Sequence, residues 1–248
     1  MLFKLLQCEQ IKLKRTGILI ISILIPFAIN LLLTIDLHYR YTGFLLVYQE
    51  EMKLSCWQLI FKEQRVLYFA ALIPFFSTLI LTHIFSTDMK NNGLSMVLTQ
   101  PIKKSEFLLA KFIISCKYIN IMIFSNIILI AIAGFITGVK DPLDIPLFIR
   151  CFLILFSSAM ATAAIQMIIL EVFPSKWICL FIAFFLGLKS QNTYLSCTFC
   201  KFNPYSFADY SFRANWNQTL SILIISCIFI IVGLSISTLI LNKKNIYR

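Results

Sequence analysis

Five long apolar runs constrain this chain more than any other feature of its sequence. No Asp, Glu, Lys or Arg interrupts them over roughly 20 residues in Gly17–Ile35, Val66–Thr87, Tyr118–Val139, Cys151–Leu170 and Leu220–Leu241. A bilayer core of about 30 Å is crossed by about 20 helical residues, at a rise of about 1.5 Å each. Because a helix satisfies its own backbone hydrogen bonds, each run is predicted to span a membrane as a helix.

The composition agrees with a chain whose main solvent is lipid. Hydrophobic residues make up 59% of the 248 residues and charged residues only 13%. An ordinary soluble domain has roughly 45–50% apolar and about 25% charged residues. Although the net charge is +11, the block arrangement of the apolar residues excludes a soluble enzyme, a nucleic-acid-binding protein and a disordered chain.

A sixth, shorter run completes the predicted architecture. Trp177–Leu188 stops at Lys189, but it extends to Tyr194 if the Lys189 ammonium reaches the lipid headgroups. We therefore predict an all-α integral membrane protein with six transmembrane helices in a single domain, residues 1–248. The predicted spans are about 17–37, 66–87, 113–139, 150–170, 177–194 and 217–241.

The basic residues predict which way the chain crosses the membrane. With the N-terminus inside and six spans, the cytoplasmic segments carry 13 Lys and Arg and the external segments carry 9. Basic residues accumulate on the cytoplasmic side of membrane proteins. We therefore expect a multi-pass protein of the cell membrane with both termini in the cytoplasm.

Two polar segments are predicted to lie outside. Asp36–Arg65 forms an external loop, in which four acidic residues are balanced by four basic ones, so attraction of a cationic ligand is not supported. Tyr194–Trp216 contains eight aromatic residues, which predicts interfacial or re-entrant helices between spans 5 and 6. These aromatics either form a belt at the headgroups or bind a transported molecule.

The sequence contains no recognisable catalytic or nucleotide-binding motif. It has no G-x-x-x-x-G-K-[ST] phosphate loop, no G-x-S-x-G elbow and no H-E-x-x-H zinc motif. Its long runs lack the buried acidic and basic residues typical of secondary transporters. We predict that the chain is not an enzyme and holds no cofactor or metal, so any transport would draw its energy from a partner.

One cysteine pair has a suggestive spacing. Cys197 and Cys200 form a C-x-x-C in the predicted external segment. They could form a disulfide, remain free thiols or, with His38 and Cys56, bind a metal, although a single C-x-x-C is a weak metal signal.

The cytoplasmic segment between spans 2 and 3 has a short amphipathic pattern. Leu94, Val97 and Leu98 form an apolar stripe that ends before Pro101, which predicts a short helix on the cytoplasmic surface. Ser105 is then expected to cap the helix that runs into the third span. The short helix could insert into a partner ATPase or lie in the membrane interface.

Small residues in spans 3 and 4 predict close helix packing. Gly134 and Gly138 form a GxxxG step, and span 4 carries Ser158, Ala161 and Thr162. Such residues let backbones approach closely, either within one chain or between two permeases.

The layout and several motifs resemble the membrane subunits of type-two ATP-binding-cassette (ABC) exporters. The similar residues between spans 2 and 3 are Asn92-Gly93, Leu98-Thr99-Gln100-Pro101, the following basic pair and Lys111. The segment Glu9–Gly17, followed by a first span with Pro26 in its middle, is similar to the short permeases of lantibiotic-immunity exporters. The layout similarity covers nearly the whole chain, and the sequence similarity is concentrated in Glu9–Leu33 and Asn92–Lys111.

This resemblance implies a fold, partners and a function. It implies an N-terminal amphipathic helix and a coupling helix that contacts a cytoplasmic ABC ATPase, which binds the ATP and Mg. The partners would include a second identical or related permease and a cationic peptide cargo, expelled from the membrane to give immunity. The alternatives are export of another peptide antibiotic, a drug or a lipid, or a carrier or channel outside the ABC class. The coupling residues implied are Asn92, Gly93, Leu94, Val97, Leu98 and Pro101.

Overall fold

The computed structural model describes residues 2–14, 16–40, 45, 54–89, 103–139, 141–173, 175–193 and 202–243. Within these ranges the regular structure is entirely helical, as predicted. The α-helices are α1 (Leu2–Leu13), α2 (Ile18–Arg40), α3 (Cys56–Val66), α4 (Phe69–Met89), α5 (Lys104–Ile136), α6 (Ile145–Val172), α7 (Lys176–Thr193) and α8 (Trp216–Lys243), and a 3-10 helix covers Pro204–Tyr210.

Five of the described helices are long and apolar enough to cross a membrane. They are α2, α4, α5, α6 and α8, and they cover most of each of the five apolar runs, although the run that starts at Val66 begins before α4. The prediction of five spans is therefore confirmed by helix length and composition. Helix α7 forms over 18 residues, but it is not among these five, so the sixth span stays a prediction.

Helix α3 is the main departure from the expected layout, because it lies in the segment predicted as a polar external loop. It begins with a capping box, in which Ser55 Oγ accepts from the Gln58 backbone and Gln58 Oε1 accepts from the Ser55 backbone. Trp57 and Ile60 are almost completely buried. The helix therefore packs into the bundle instead of extending into solvent.

A two-residue break separates α3 from α4. It consists of Leu67 and Tyr68, and Tyr68 has a φ of 62°, which is uncommon for a residue other than glycine. The Leu72 amide hydrogen-bonds to the Tyr68 carbonyl, so a new helix starts immediately. Together α3, with 11 residues, and α4, with 21, form a helical unit with a break in its backbone.

Local sequence explains how the other long helices begin. Helix α6 starts after Asp144, whose side chain accepts from the Leu147 amide at 3.2 Å, with Pro146 in the first turn where no amide donor is needed. Helix α5 starts at Lys104, and Lys103 caps it without a side-chain hydrogen bond. The expected Ser105 cap was wrong, because the helix already includes that residue.

Helix α6 lies at the centre of the bundle. It packs against α8, α4, α5 and the 3-10 helix, and its small residues from Ser157 to Ala164 are buried. On α8, an added side chain at Gly233 would lie 2.9 Å from Ala164 Cβ. The small residues therefore bring the two helices into close contact, while much of α8 faces outward.

The segment that precedes α8 is inserted among the helices. Ser158 Oγ donates to the Pro204 carbonyl at 3.1 Å, and Arg150 Nη1 donates to the Ala214 carbonyl at 2.8 Å. Ser158 lies two helical turns below Arg150 on α6, about 12 Å along the axis. The segment therefore reaches well into the bundle, and the aromatics Tyr205, Phe207 and Phe212 are buried in it.

Candidate functional site

Lys111 forms a buried junction near the start of α5. None of its side chain is exposed, and a buried charge is stable only when it is paired. Its Nζ lies 3.1 Å from Glu9 Oε2 and donates to the Ile84 carbonyl at 3.3 Å. The rings of Phe85 and Phe107 lie 5.2 Å and 5.1 Å away, which adds cation–π attraction. We name Glu9, Ile84 and Lys111 the Lys111 junction, and it joins α1, α4 and α5.

Glu9 fixes the amphipathic N-terminal helix in this junction. Its carboxylate is buried and also pairs with Lys12, at a distance of 2.8 Å. The Lys12 side chain is 38% exposed, so water screens this second pair more than the pair with Lys111. The ion pair with Lys111 is therefore the stronger of the two ion pairs of Glu9, and it anchors α1 together with the buried Leu13.

The predicted ATPase-coupling residues Asn92, Gly93, Leu94, Val97, Leu98 and Pro101 lie outside the described residues. Both flanks of this segment are described, since α4 ends at Met89 and α5 begins at Lys104. The Lys111 junction binds these two helices to each other and to α1. It therefore joins the two helices that flank, in the chain, the segment that resembles a coupling helix.

A second polar group lies about 22 Å further along α5, fifteen residues beyond Lys111. Asn30 of α2, Gln64 of α3 and Asn126 of α5 are all buried. Asn126 Oδ1 accepts from Asn30 Nδ2 and from Gln64 Nε2, each at 2.8 Å, and Gln64 Nε2 also contacts Asn30 Oδ1 at 3.2 Å. We name these residues the Gln64 cluster, and they connect three helices through amide hydrogen bonds.

Ion pairs on both sides of Gln64 extend the attachment of α3. Glu63 Oε2 lies 3.4 Å from Arg40 Nη1, which also pairs with Asp36 at 3.1 Å. Arg65 Nε lies 3.3 Å from Asp209 Oδ1 on the 3-10 helix. Burial raises the pKa of the Asp209 carboxyl, and the Arg65 guanidinium partly opposes that shift. Three consecutive residues of α3 thus bind three different parts of the bundle.

Polar contacts also fix the 3-10 helix that carries Asp209. Gln166 Nε2 donates to the Tyr205 hydroxyl at 3.0 Å, and Ser190 Oγ donates to the Tyr205 carbonyl at 3.0 Å. These residues belong to α6 and α7, respectively. The partner of Arg65 is therefore held by the centre of the bundle.

The predicted GxxxG step is divided between two environments. A side chain added at Gly134 would collide with Trp57, whose Cη2 would lie 2.8 Å from the new Cβ. Gly138 is exposed, lies beyond the end of α5 and has a φ of 84°. Gly134 therefore admits the Trp57 ring of α3, whereas Gly138 supplies a backbone conformation for the turn.

The small residues of span 4 face neighbours within the same chain. Ser158, Ala161 and Thr162 are buried, and the Thr162 hydroxyl lies 3.3 Å from the Ser77 hydroxyl of α4. These contacts account for their burial without a second chain. Their role in pairing with another permease stays a prediction.

Cys197 and Cys200 lie outside the described residues, so the choice between a disulfide and free thiols is untested.

Several residues that organise these groups were not singled out from the sequence for this role. The amides Asn30 and Asn126 interrupt apolar runs, and a strongly polar residue in a span usually contacts the protein interior. That signal could have identified both. Gln64 gave no such signal, because it lies among charged residues that are typical of a solvated loop.

The helices and buried polar groups are those of a multi-pass helical membrane protein. A family model described as ABC-2 family transporter protein matches residues 5–190, well over half of the chain. The chain therefore belongs to the ABC-2 transporter family. Comparisons with curated proteins and with solved structures found no match.

Family membership settles the general class that the sequence predicted. The chain is a permease component of an ABC transporter, and this family implies a membrane location and an ABC ATPase partner. The permease component is generally not catalytic. The alternative of a carrier or channel outside the ABC class is therefore not supported.

Proposed function

We propose that this chain is the permease subunit of an ABC exporter that gives immunity to a lantibiotic by ATP-driven expulsion of the peptide from the cell membrane. The observation that carries the proposal is the family match over residues 5–190. The resemblance of Glu9–Leu33 and Asn92–Lys111 to lantibiotic-immunity permeases narrows the cargo to a cationic, amphipathic peptide.

The Lys111 junction supports a mechanism for energy transfer. An ATPase that grips residues 92–99 would move the end of α4 and the start of α5, because those helices flank the segment. Lys111 binds the Ile84 carbonyl and Glu9, so α1 would move with both helices. The buried charges make this three-helix unit rigid, which suits the transmission of a displacement.

The function is tested by expressing the chain in a lantibiotic-sensitive host, together with its partner ABC ATPase. We expect increased survival in the peptide and loss of that survival when the phosphate-loop lysine of the ATPase is replaced. Resistance to a different peptide, drug or lipid-directed agent alone would transfer the proposal to that cargo.

Coupling is tested with Leu94→Asp, Leu98→Asp against the matched control Lys103→Ala. If the stripe binds the ATPase, burial of each of its two leucines contributes about 1.5–3 kcal/mol to the binding free energy. The double variant should then lose both ATPase co-purification and resistance. Lys103 is exposed, so its replacement should retain them. Normal complex and resistance in the double Asp variant, at equal membrane levels, would contradict coupling through this segment.

A further inference from the structure

We propose that α3 is a movable gate that closes one end of the helix bundle, with Glu63, Gln64 and Arg65 as the latch that keeps it closed. Under the predicted orientation this is the external end. The inference rests on the proposed function and deepens it, because an exporter that takes a peptide from the membrane has to open towards the outside.

Glu63, Gln64 and Arg65 can act as a latch because they occupy consecutive positions on one helix. Side chains at consecutive positions of a helix point about 100° apart, so Glu63, Gln64 and Arg65 reach in three directions. They bind the end of α2, the amides of α2 and α5, and the 3-10 helix, respectively. Release of α3 therefore requires these contacts to break together, which makes opening cooperative.

The break between α3 and α4 supplies a hinge. Leu67 and Tyr68 separate the two helices, and Tyr68 has a left-handed backbone with a φ of 62°. Hinges are short segments in which a few residues absorb a change of backbone angles. Helix α3 can therefore swing as a rigid unit while α4 remains packed in the bundle.

The chemistry of the latch is suited to opening. Apolar packing of Trp57 and Ile60 also holds α3, whereas the buried polar groups of the latch lose hydration that they regain when water enters. The side chains of Arg40 and Arg65 are 42% and 22% exposed, so the cations of the latch are already partly accessible. Ionisable and polar groups among spanning helices commonly mark the path of a transported substrate.

A surface groove includes a residue that the latch contacts. It has a volume of about 240 Å³ and lies between α2 and α5, with Phe27, Asn30 and Ile132 in its wall. Asn30 also contacts Gln64, so the groove and the latch share a residue. Displacement of α3 would remove the Gln64 contact from Asn30, which lines this groove.

A native cysteine reports on the gate. Cys151 of α6 is completely buried in the same apolar cluster as Trp57 and Ile60 of α3, and its Sγ lies 3.2 Å from the Ser211 carbonyl. Movement of α3 is therefore expected to change the access of reagents to this thiol.

The experiment measures that access. The permease in complex with its ATPase is reconstituted in vesicles and treated with a membrane-impermeant maleimide. Mass spectrometry of the Cys151 peptide then measures labelling separately from the other cysteines.

We expect Cys151 to be protected in the resting wild type and labelled during ATP turnover. Arg65→Gln should raise resting labelling about tenfold, since breaking a buried ion pair favours the open state. The charge reversal Arg65→Asp, Asp209→Arg should restore protection. The control Arg213→Gln removes an exposed cation from the same segment as Asp209 and should leave labelling unchanged.

Protection of Cys151 in resting Arg65→Gln, or in the wild type during turnover, would overturn the gate. If Arg65→Gln does not accumulate, the wild-type comparison with and without ATP still decides. Labelling of Cys151 in the resting protein is measured without cargo and without a resistance assay. The labelling result therefore holds even if the proposed cargo is wrong, and the two failures are distinguished.

Discussion

The Lys111 junction and the Gln64 cluster both join apolar helices through buried polar side chains, but they differ in charge and in exposure. Both place polar side chains between apolar helices, and both involve α5. The Lys111 junction encloses one strong ion pair completely, whereas the Gln64 cluster uses neutral amides flanked by ion pairs with partly exposed cations. A fully desolvated pair is hard to separate, and partly hydrated contacts are easier to exchange for water. The comparison indicates a rigid end and a releasable end of one bundle.

The largest expected effect comes from breaking the rigid end. Glu9→Gln removes the anion that pairs with buried Lys111 and should lower stability by about 3–5 kcal/mol, because an uncompensated charge remains. Thermal unfolding of the purified protein in detergent measures this loss. The matched control Lys12→Gln breaks the partly exposed pair of the same carboxylate and should change stability by less than about 1 kcal/mol.

A second variant distinguishes the lost pair from a general effect at Glu9. Glu9→Gln combined with Lys111→Met removes both charges and should recover most of the stability. If Glu9→Gln unfolds at the wild-type temperature, or if the double variant is as unstable as the single one, the buried pair does not anchor α1.

The next effect tests how tightly α3 fits against α5. Gly134→Ala should lower stability by about 1–3 kcal/mol, because its new Cβ would overlap the Trp57 ring. The same substitution made with Trp57→Leu should cost much less, which a double-mutant cycle in thermal unfolding would show. Additive effects of the two substitutions would mean that this contact does not limit the approach of α3.

The smallest loss of stability is expected when an amide side chain of the Gln64 cluster is replaced. Asn126→Leu removes an acceptor shared by Asn30 and Gln64 and should lower stability by about 1–2 kcal/mol, the upper range for hydrogen bonds between membrane helices. Ser125→Ala is the matched control, since its hydroxyl bonds only to the Met122 carbonyl of its own helix among the described contacts. Equal unfolding temperatures for the two variants would show that the amides contribute little to holding α3.

The sequence was sufficient for features that depend on local pattern. Long apolar runs such as Tyr118–Val139 predict spanning helices, because hydrophobicity and helix length are properties of the segment alone. Helix α3 was missed because Lys62, Glu63, Gln64 and Arg65 are typical of a solvated loop, and only their tertiary partners make their burial favourable.

Contacts between residues far apart in the sequence could not be predicted either. Glu9 and Lys111 were noted as part of a family resemblance, but their contact depends on how α1 docks against α5. Gly134 was predicted as a packing residue, and in the structure it faces Trp57, which lies in the segment predicted as a loop. The sequence pattern therefore predicted where helices form and where small residues allow close packing. It did not predict which polar side chains contact each other.

The pairing of Glu9 with Lys111 sets an order for biosynthesis. The two residues are 102 positions apart, so a ribosome that adds about 5–20 residues per second needs roughly 5–20 s between them. During that interval α1 has left the ribosome without the cation that later enters its docking site. The N-terminal helix therefore reaches its final position only after Lys111, at the start of α5, has been synthesised. A nascent chain stopped before Lys111 would leave α1 undocked.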